Sequence, residues 1–204
     1  IFKTKAEVLQ TFVSINGACL IDQTHTCTEV QLRGGTGSHC GACIQCLHRR
    51  FGALAAGLEE HDSAKKYSLD LFESPRTGRG LTMLAEMVRR ARQFQSYSDA
   101  DQFFHAFALE LTRLRGSLPG THDDAVQSMF KLHQRFGKEV AQVIEQGLER
   151  FKGRLSKGLM AHQSLLTLVV GEQGGTPSVG SVTQPPSSSS AQIHLMIDGK
   201  RGTF

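Results

Sequence analysis

The stretch His39-Cys40-Gly41-Ala42-Cys43-Ile44-Gln45-Cys46 decides how this chain is read. Its three cysteines follow the spacing C-x2-C-x2-C, and Cys27 stands upstream with twelve residues between it and Cys40. A two-residue gap lets a tight turn aim two thiolates at one ion, and Gly41 supplies the backbone freedom that such a knuckle needs. A helix is predicted from near Cys43 to Gly57. Cys46 falls in its first turn, where the positive N-terminal end favours a thiolate. Cys27 closes the set from across a glycine-containing loop. Four soft ligands with no open position, Cys27, Cys40, Cys43 and Cys46, describe a structural Zn²⁺ site. An iron–sulfur cluster also takes four cysteines, and unligated buried cysteines are the plain alternative. His25 and His39 lie near enough to replace a ligand, but the thiolate set is complete without them. The fifth cysteine, Cys19, reads as a small core residue.

Working outward, the chain of 204 residues fits a metal-stabilised helical protein. Hydrophobic residues make up 39% and charged residues 21%, which excludes a collagen, a coiled-coil rod and a wholly disordered chain. The 23 basic and 19 acidic residues nearly balance, so an obligate nucleic-acid binder is not expected. The longest apolar run, near Leu165 to Val170, is far shorter than the roughly 20 residues of a spanning helix. Lys3, Lys5 and Glu7 interrupt any signal-peptide pattern in the visible N-terminus. A cytoplasmic location is expected, and an odd total of five cysteines, four of them crowded into Cys27 to Cys46, points in a reducing compartment to metal rather than disulfides. The chain opens at Ile1 rather than Met, so a piece of something longer is expected.

The pattern predicts mainly α structure. Thr4 and Glu7 form a capping box ahead of an apolar stripe of Val8, Leu9, Phe12 and Val13, and Asn16-Gly17 ends that helix. Residues 20–40 read as loop. Residues 63–170 read as helical throughout, with Leu81, Leu84, Met87 and Val88 on one stripe. Ser98 or Asp99 caps a following helix whose stripe is Phe104, Phe107, Leu111, Leu114 and Leu118. Pro119-Gly120 breaks it, and the period resumes from Val126 to Phe151 with a bend at Gly137, which predicts an antiparallel helical hairpin. From Gly171 the composition turns to Gly, Ser, Pro and Thr, expected to be a flexible tail, with a lone strand at residues 192–197.

The ordered set of residues around the cysteines resembles the zinc-site region of the 7-cyano-7-deazaguanine synthase (QueC) family. Lys3-Thr4-Lys5-Ala6-Glu7-Val8 is similar to its K-T-K-x-E-I helix start, and Thr24-His25-Thr26-Cys27 to its T-x-S-C segment. His39-Cys40-Gly41-Ala42-Cys43-Ile44-Gln45-Cys46, then Arg49, Ala56-Gly57, Asp62 and Tyr67, follow the family order over residues 2–67. The resemblance implies the C-terminal part of an α/β PP-loop ATPase domain. Its reaction is the ATP-dependent conversion of a 7-deazaguanine carboxylate with ammonia to the nitrile. With the pattern above, this gives three expected segments: residues 1–67 as the zinc-binding part implied by the resemblance, 68–170 as a helical extension read from periodicity, and 171–204 as the tail read from composition. The long extension is similar to that of QueC-like proteins in anti-phage defence operons, which suggests a different acceptor and an operon partner or a second copy. The phosphate-binding S-G-G-x-D-S of the family is absent from the chain; Arg33-Gly34-Gly35-Thr36-Gly37-Ser38 is only an echo of it. ATP and the deazaguanine therefore belong to the intact enzyme, and no catalytic or cofactor-binding residue is assigned here. The alternative is a non-enzymatic, zinc-stabilised helical module that binds a partner protein.

Other candidates have simpler readings. Arg76, Arg79, Arg89, Arg90 and Arg92 form a basic run that can contact phosphate, but no aromatic residue within it serves for base stacking. A solvated helix face is the expected role. His133 reads as a satisfied boundary histidine, and Asp123-Asp124 as helix caps. Arg49 stands on the family's Arg position as a substrate or packing contact. Zinc loss is expected to melt residues 20–57 and to leave the distal helices folded.

Overall fold

The computed structural model describes residues 2–29, 39–114, 117–174, 196–197 and 200–201. It is mainly helical, with α1 (Lys5–Ser14), α2 (Ala18–Gln23), α3 (Ile44–Ala55), α4 (Gly78–Ser96), α5 (Ala100–Arg113), α6 (His122–Ser156) and α7 (Leu165–Gly174). Ile1–Gly174 is one compact unit. In the second unit, Gly175–Phe204, β1 (Met196–Ile197) pairs antiparallel with β2 (Lys200–Arg201), so the strand expected alone has a partner. The tail expected from residue 171 is corrected at its start, since α7 continues to Gly174; the rest of it and the echo at 33–38 lie outside the described residues.

Local chemistry sets the helix ends. The Thr4 hydroxyl accepts from the Glu7 N–H at 3.2 Å while Glu7 Oε2 accepts from the Thr4 N–H at 2.8 Å, the reciprocal capping box. Asn16 takes the left-handed conformation (φ 62°) that ends α1. Asp99 caps α5 by accepting from the Gln102 N–H at 2.9 Å. Thr121 and Asp124 form a second capping box ahead of α6, so Asp124 is a cap as read from sequence.

One core joins the cysteine segment to the later helices. Leu47 and Phe51 of α3 share it with Leu84, Met87 and Val88 of α4, Val140 and Val143 of α6, and Leu165, Leu166 and Val169 of α7. Burial of these side chains, at roughly 1.5–3 kcal/mol each, is the main force that holds α3 in place. Helices α4 and α6 cross closely because Gly137 lacks a side chain: a Cβ there would lie 2.7 Å from the Ala91 carbonyl oxygen. Gln134 Nε2 then donates to the carbonyl oxygens of Phe94 (2.6 Å) and Tyr97 (2.9 Å), satisfying the end of α4.

Several expectations are corrected. Residues 20–40 are not all loop, since α2 covers Ala18–Gln23. Residues 63–170 are not helical throughout: the stretch from Tyr67 to Thr77 has no α-helix, and Ala64–Lys66 is a single 3-10 turn. In α5, Phe103 rather than Phe104 is the buried anchor, and Phe107 has non-helical angles (φ −128°, ψ 27°). The phase error arises because that kink breaks the 3.6-residue period. Helix α6 runs unbroken from His122 to Ser156 and contains Gly137 as a contact point, where a bend was expected. Cys19 is exposed, not in the core. Val8 (43% exposed) and Phe12 (37%) leave the α1 stripe half in solvent.

Candidate metal centre

Helix α3 and the turn before it build the site. Gly41 adopts φ 76°, which an L-residue with a side chain rarely takes, and it turns the chain between Cys40 and Cys43. The turn directs the N–H groups of Ala42 and Cys43 at Cys40 Sγ, at 3.4 and 3.3 Å. Cys43 is the N-cap of α3 and Cys46 lies in its first turn, near the positive end of the helix. Cys27 arrives from the segment after α2. A parallel bridge pins the entrance to the turn: the His39 N–H donates to the Lys66 carbonyl (3.0 Å) and the Ser68 N–H to the His39 carbonyl (2.8 Å).

The Sγ atoms of Cys27, Cys40, Cys43 and Cys46 all lie within 4.8 Å of one another, and Cys40 Sγ stands 3.9 Å from Cys46 Sγ. A tetrahedron with Zn–S bonds of about 2.3 Å spaces its sulfurs by about 3.8 Å. The sulfurs are too far apart for a disulfide, whose bond is about 2.05 Å. A multi-iron cluster spreads its thiolates over separate irons, so this spacing suits one ion better. The four cysteines can therefore hold a zinc ion, and they are buried or half-buried around Tyr67.

The electrostatics point the same way. Burial pushes the Cys40 thiol up, and burial also raises Cys46, where the neighbouring thiolates add to the effect. Cys43 is opposed by burial too, but donors from Thr28 and Cys46 outweigh it and bring the thiol down to about 6. Without a metal, burial and mutual repulsion oppose ionising all four thiols, and a divalent cation is the group that would stabilise them as thiolates.

A second set of polar groups supports the turn. Asp62, fully buried, pairs with Arg49 Nε at 2.7 Å and with Arg50 Nη1 at 3.4 Å, and Oδ2 accepts from the Tyr67 hydroxyl at 2.9 Å. Arg49 also donates to the Thr24 hydroxyl (2.6 Å) and to the carbonyls of Thr24 (3.1 Å) and Ile21 (2.7 Å). These contacts cap α2 and hold the Cys27 segment against α3. All three of its nitrogens are committed to the protein, so of the two roles read from sequence Arg49 takes packing. His39 is sandwiched between His25 (ring centroids 4.7 Å) and Tyr67 (5.0 Å), outside the thiolate set. Burial lowers its imidazole to about 4, with the Arg49 charge adding to the effect.

The basic run does not form one face. Arg76 is 1% exposed and sits below the cysteine turn, which corrects its reading as a solvated residue. Arg89 and Arg90 both bind the Glu86 carboxylate, at 2.6 and 2.7 Å, and hold that acid down to about 2. Among the described residues, Arg79 pairs with Glu29 at 3.9 Å. His133 Nδ1 lies 2.7 Å from the Met129 carbonyl and its ring packs on Phe94, as a boundary histidine should. Sequence reasoning missed Asp62 and Tyr67 as supports of the metal turn except through the family resemblance. Arg76 gave no signal, because a buried arginine and an exposed one look alike in sequence.

The fold and site define a mainly helical chain with a four-cysteine cluster that could hold a metal ion. No family model, curated protein or solved structure matches it. No helix among the described residues is long and apolar enough to cross a membrane.

Proposed function

We propose that the four cysteines hold a structural zinc ion, and that the chain is the zinc-binding part of a QueC-like ATP-dependent enzyme acting on a 7-deazaguanine carboxylate. One observation carries the reading. Cysteines 27, 40, 43 and 46, Arg49, Asp62 and Tyr67 match the family order across 41 residues of sequence; in space the four sulfurs cluster, Tyr67 packs against them, and Arg49, Asp62 and Tyr67 form one set of polar contacts. A chance match would have no reason to bring Arg49, Asp62 and Tyr67 into hydrogen-bond contact beside the sulfurs. The role of this part is scaffolding: it orders α2, the turn and α3. ATP and the deazaguanine bind elsewhere in the enzyme, where nitrile formation or a related modification occurs.

The test uses the full-length gene product with ATP and 7-carboxy-7-deazaguanine. Substrate-dependent ATP consumption is expected, together with an upstream S-G-G-x-D-S segment. Intact ATP and a coding sequence without that segment would sink the enzyme reading. The second reading, a protein-interaction module, is favoured by a trough of about 620 Å³ lined by Ile44, Met83, Met87, Phe94 and Phe136 between α3, α4 and α6. Methionine-rich apolar walls adapt readily to partner side chains.

A further inference from the structure

The buried charges beside the cysteines do not cancel among themselves. Among the described residues, and apart from the four cysteines, the buried side chains with a formal charge at neutral pH are Arg49, Arg50, Arg76 and Asp62. Asp62 pairs with both Arg49 and Arg50 and so balances only one of the three guanidinium groups. Arg50 also touches half-exposed Glu59, but that carboxylate is shared with Arg150 at 3.0 Å. Two positive charges remain in a region closed to water. Burying charge without compensation is costly. Four thiolates on one divalent ion carry two negative charges, equal in size and opposite in sign.

Arg76 is the guanidinium with no carboxylate bound to it. Its Nη1 donates to the carbonyls of Leu71 and Ser74, both at 3.2 Å, and its Nη2 to those of Asp70 (3.0 Å) and Gly41 (3.3 Å). The Asp70 carboxylate acts on it at longer range only, since Oδ1 is taken up by the N–H groups of Phe72 and Glu73. Gly41 is the hinge of the metal turn, so the cation is fastened to the backbone between Cys40 and Cys43. Cys40 is also among the groups whose charge acts on it. Burial lowers the guanidinium to about 10, which leaves it charged at neutral pH.

We infer that Arg76 is the charge-compensating and positioning residue of the metal centre. Its guanidinium offsets the thiolate charge, and its bond to the Gly41 carbonyl presets the turn for the ion. The assignment rests on the zinc reading above.

Two variants test it, R76M for shape without charge and R76K for charge without the fork. Zinc affinity is measured on the purified protein by competition with a chromophoric chelator. R76M should bind zinc about 10- to 100-fold more weakly than wild type. R76K should keep most of the affinity. The same proteins are loaded with iron, and the potential of the ferric/ferrous couple is read. Loss of a positive charge favours the ferric form, so R76M should have a lower potential and R76K should match wild type. A purely structural arginine would move affinity but not the potential. Equal loss of affinity in both variants, or an unshifted potential in R76M, overturns the charge role. If R76M does not fold, R76K decides: retained affinity and potential support the charge role, and their loss refutes it. A wild-type protein that takes up no zinc at all refutes the zinc reading and this inference together, whereas an R76M protein that binds zinc normally refutes only the inference.

Discussion

Gly41 carries the tightest constraint on the metal turn. Its φ of 76° disfavours any side chain, and a Cβ would run into the Leu69 carbonyl oxygen. That oxygen belongs to backbone held by Arg76 and by the bridge at His39, so it cannot move aside cheaply. Gly41→Ala should therefore destabilise the zinc-loaded protein by more than about 2 kcal/mol, from left-handed strain plus the clash. Urea unfolding of the two proteins measures this; equal midpoints would show that the turn relaxes. Gly57 is the contrast. It also has positive φ (72°), but no atom lies within 4 Å of its missing Cβ, so only the strain applies there. The need for glycine at position 41 was legible in the C-G-x-C pattern. The Leu69 carbonyl that makes it strict was not, because it comes from 28 residues away.

At the scale of elements, α6 shows how packing reverses a local preference. Alanine is favoured over glycine in a helix by about 1 kcal/mol. Gly153 is exposed with nothing within 4 Å, so Gly153→Ala should stabilise by up to about that amount. Gly137 faces the Ala91 carbonyl at 2.7 Å and the Gln95 side chain at 2.8 Å. Gly137→Ala should destabilise by about 1–3 kcal/mol, since α4 and α6 must separate. Thermal melts of the pair distinguish the two; a shift of the same sign in both would contradict this account of the crossing. Sequence periodicity found α1, α3, α4, α5 and α6 as helices. It missed α2, whose six residues bury only Ile21 and whose terminal carbonyls are satisfied by Arg49. A helix that short has little stability of its own and exists through that tertiary cap.

Across the whole molecule, the shared core changes what zinc removal should do. Leu47 and Phe51 stand only a few residues beyond Cys46 on α3, yet they pack against α4, α6 and α7. Loosening the turn therefore loosens the common core, and the selective melting of residues 20–57 suggested by sequence is replaced by a cooperative loss. Chelation should lower the melting temperature of the bulk helical signal by about 10 °C or more, in one transition. Two transitions, the larger one unmoved, would falsify the cooperative picture. Acid should weaken the same body by a separate route. Burial lowers the pKa of His48, helped by Lys5, and burial likewise lowers that of His133. The folded state then resists protonation while the unfolded chain takes protons near pH 6.5, so stability present above about 6.5 falls as pH drops below it. Glu139, raised by burial, works in the opposite sense, its contribution fading as pH rises past the ordinary carboxyl range. Thermal scans between pH 8 and pH 5 should thus show a shallower fall for His133→Gln than for wild type. Parallel curves would remove His133 from the account.

The sequence by itself determined the local parts. Cysteine spacing set the turn, the hydrophobic period set the longer helices, and Thr4, Asp99 and Thr121 set where they begin, because each depends on residues within one or two turns of chain. Only the tertiary structure decided which charged residues lie inside. The run that read as one basic stripe separated into a buried Arg76 under the metal turn and Arg89 and Arg90 on a surface carboxylate. Burial depends on what arrives from elsewhere in the chain. A guanidinium leaves water only where carbonyls and opposing charge are already assembled to receive it.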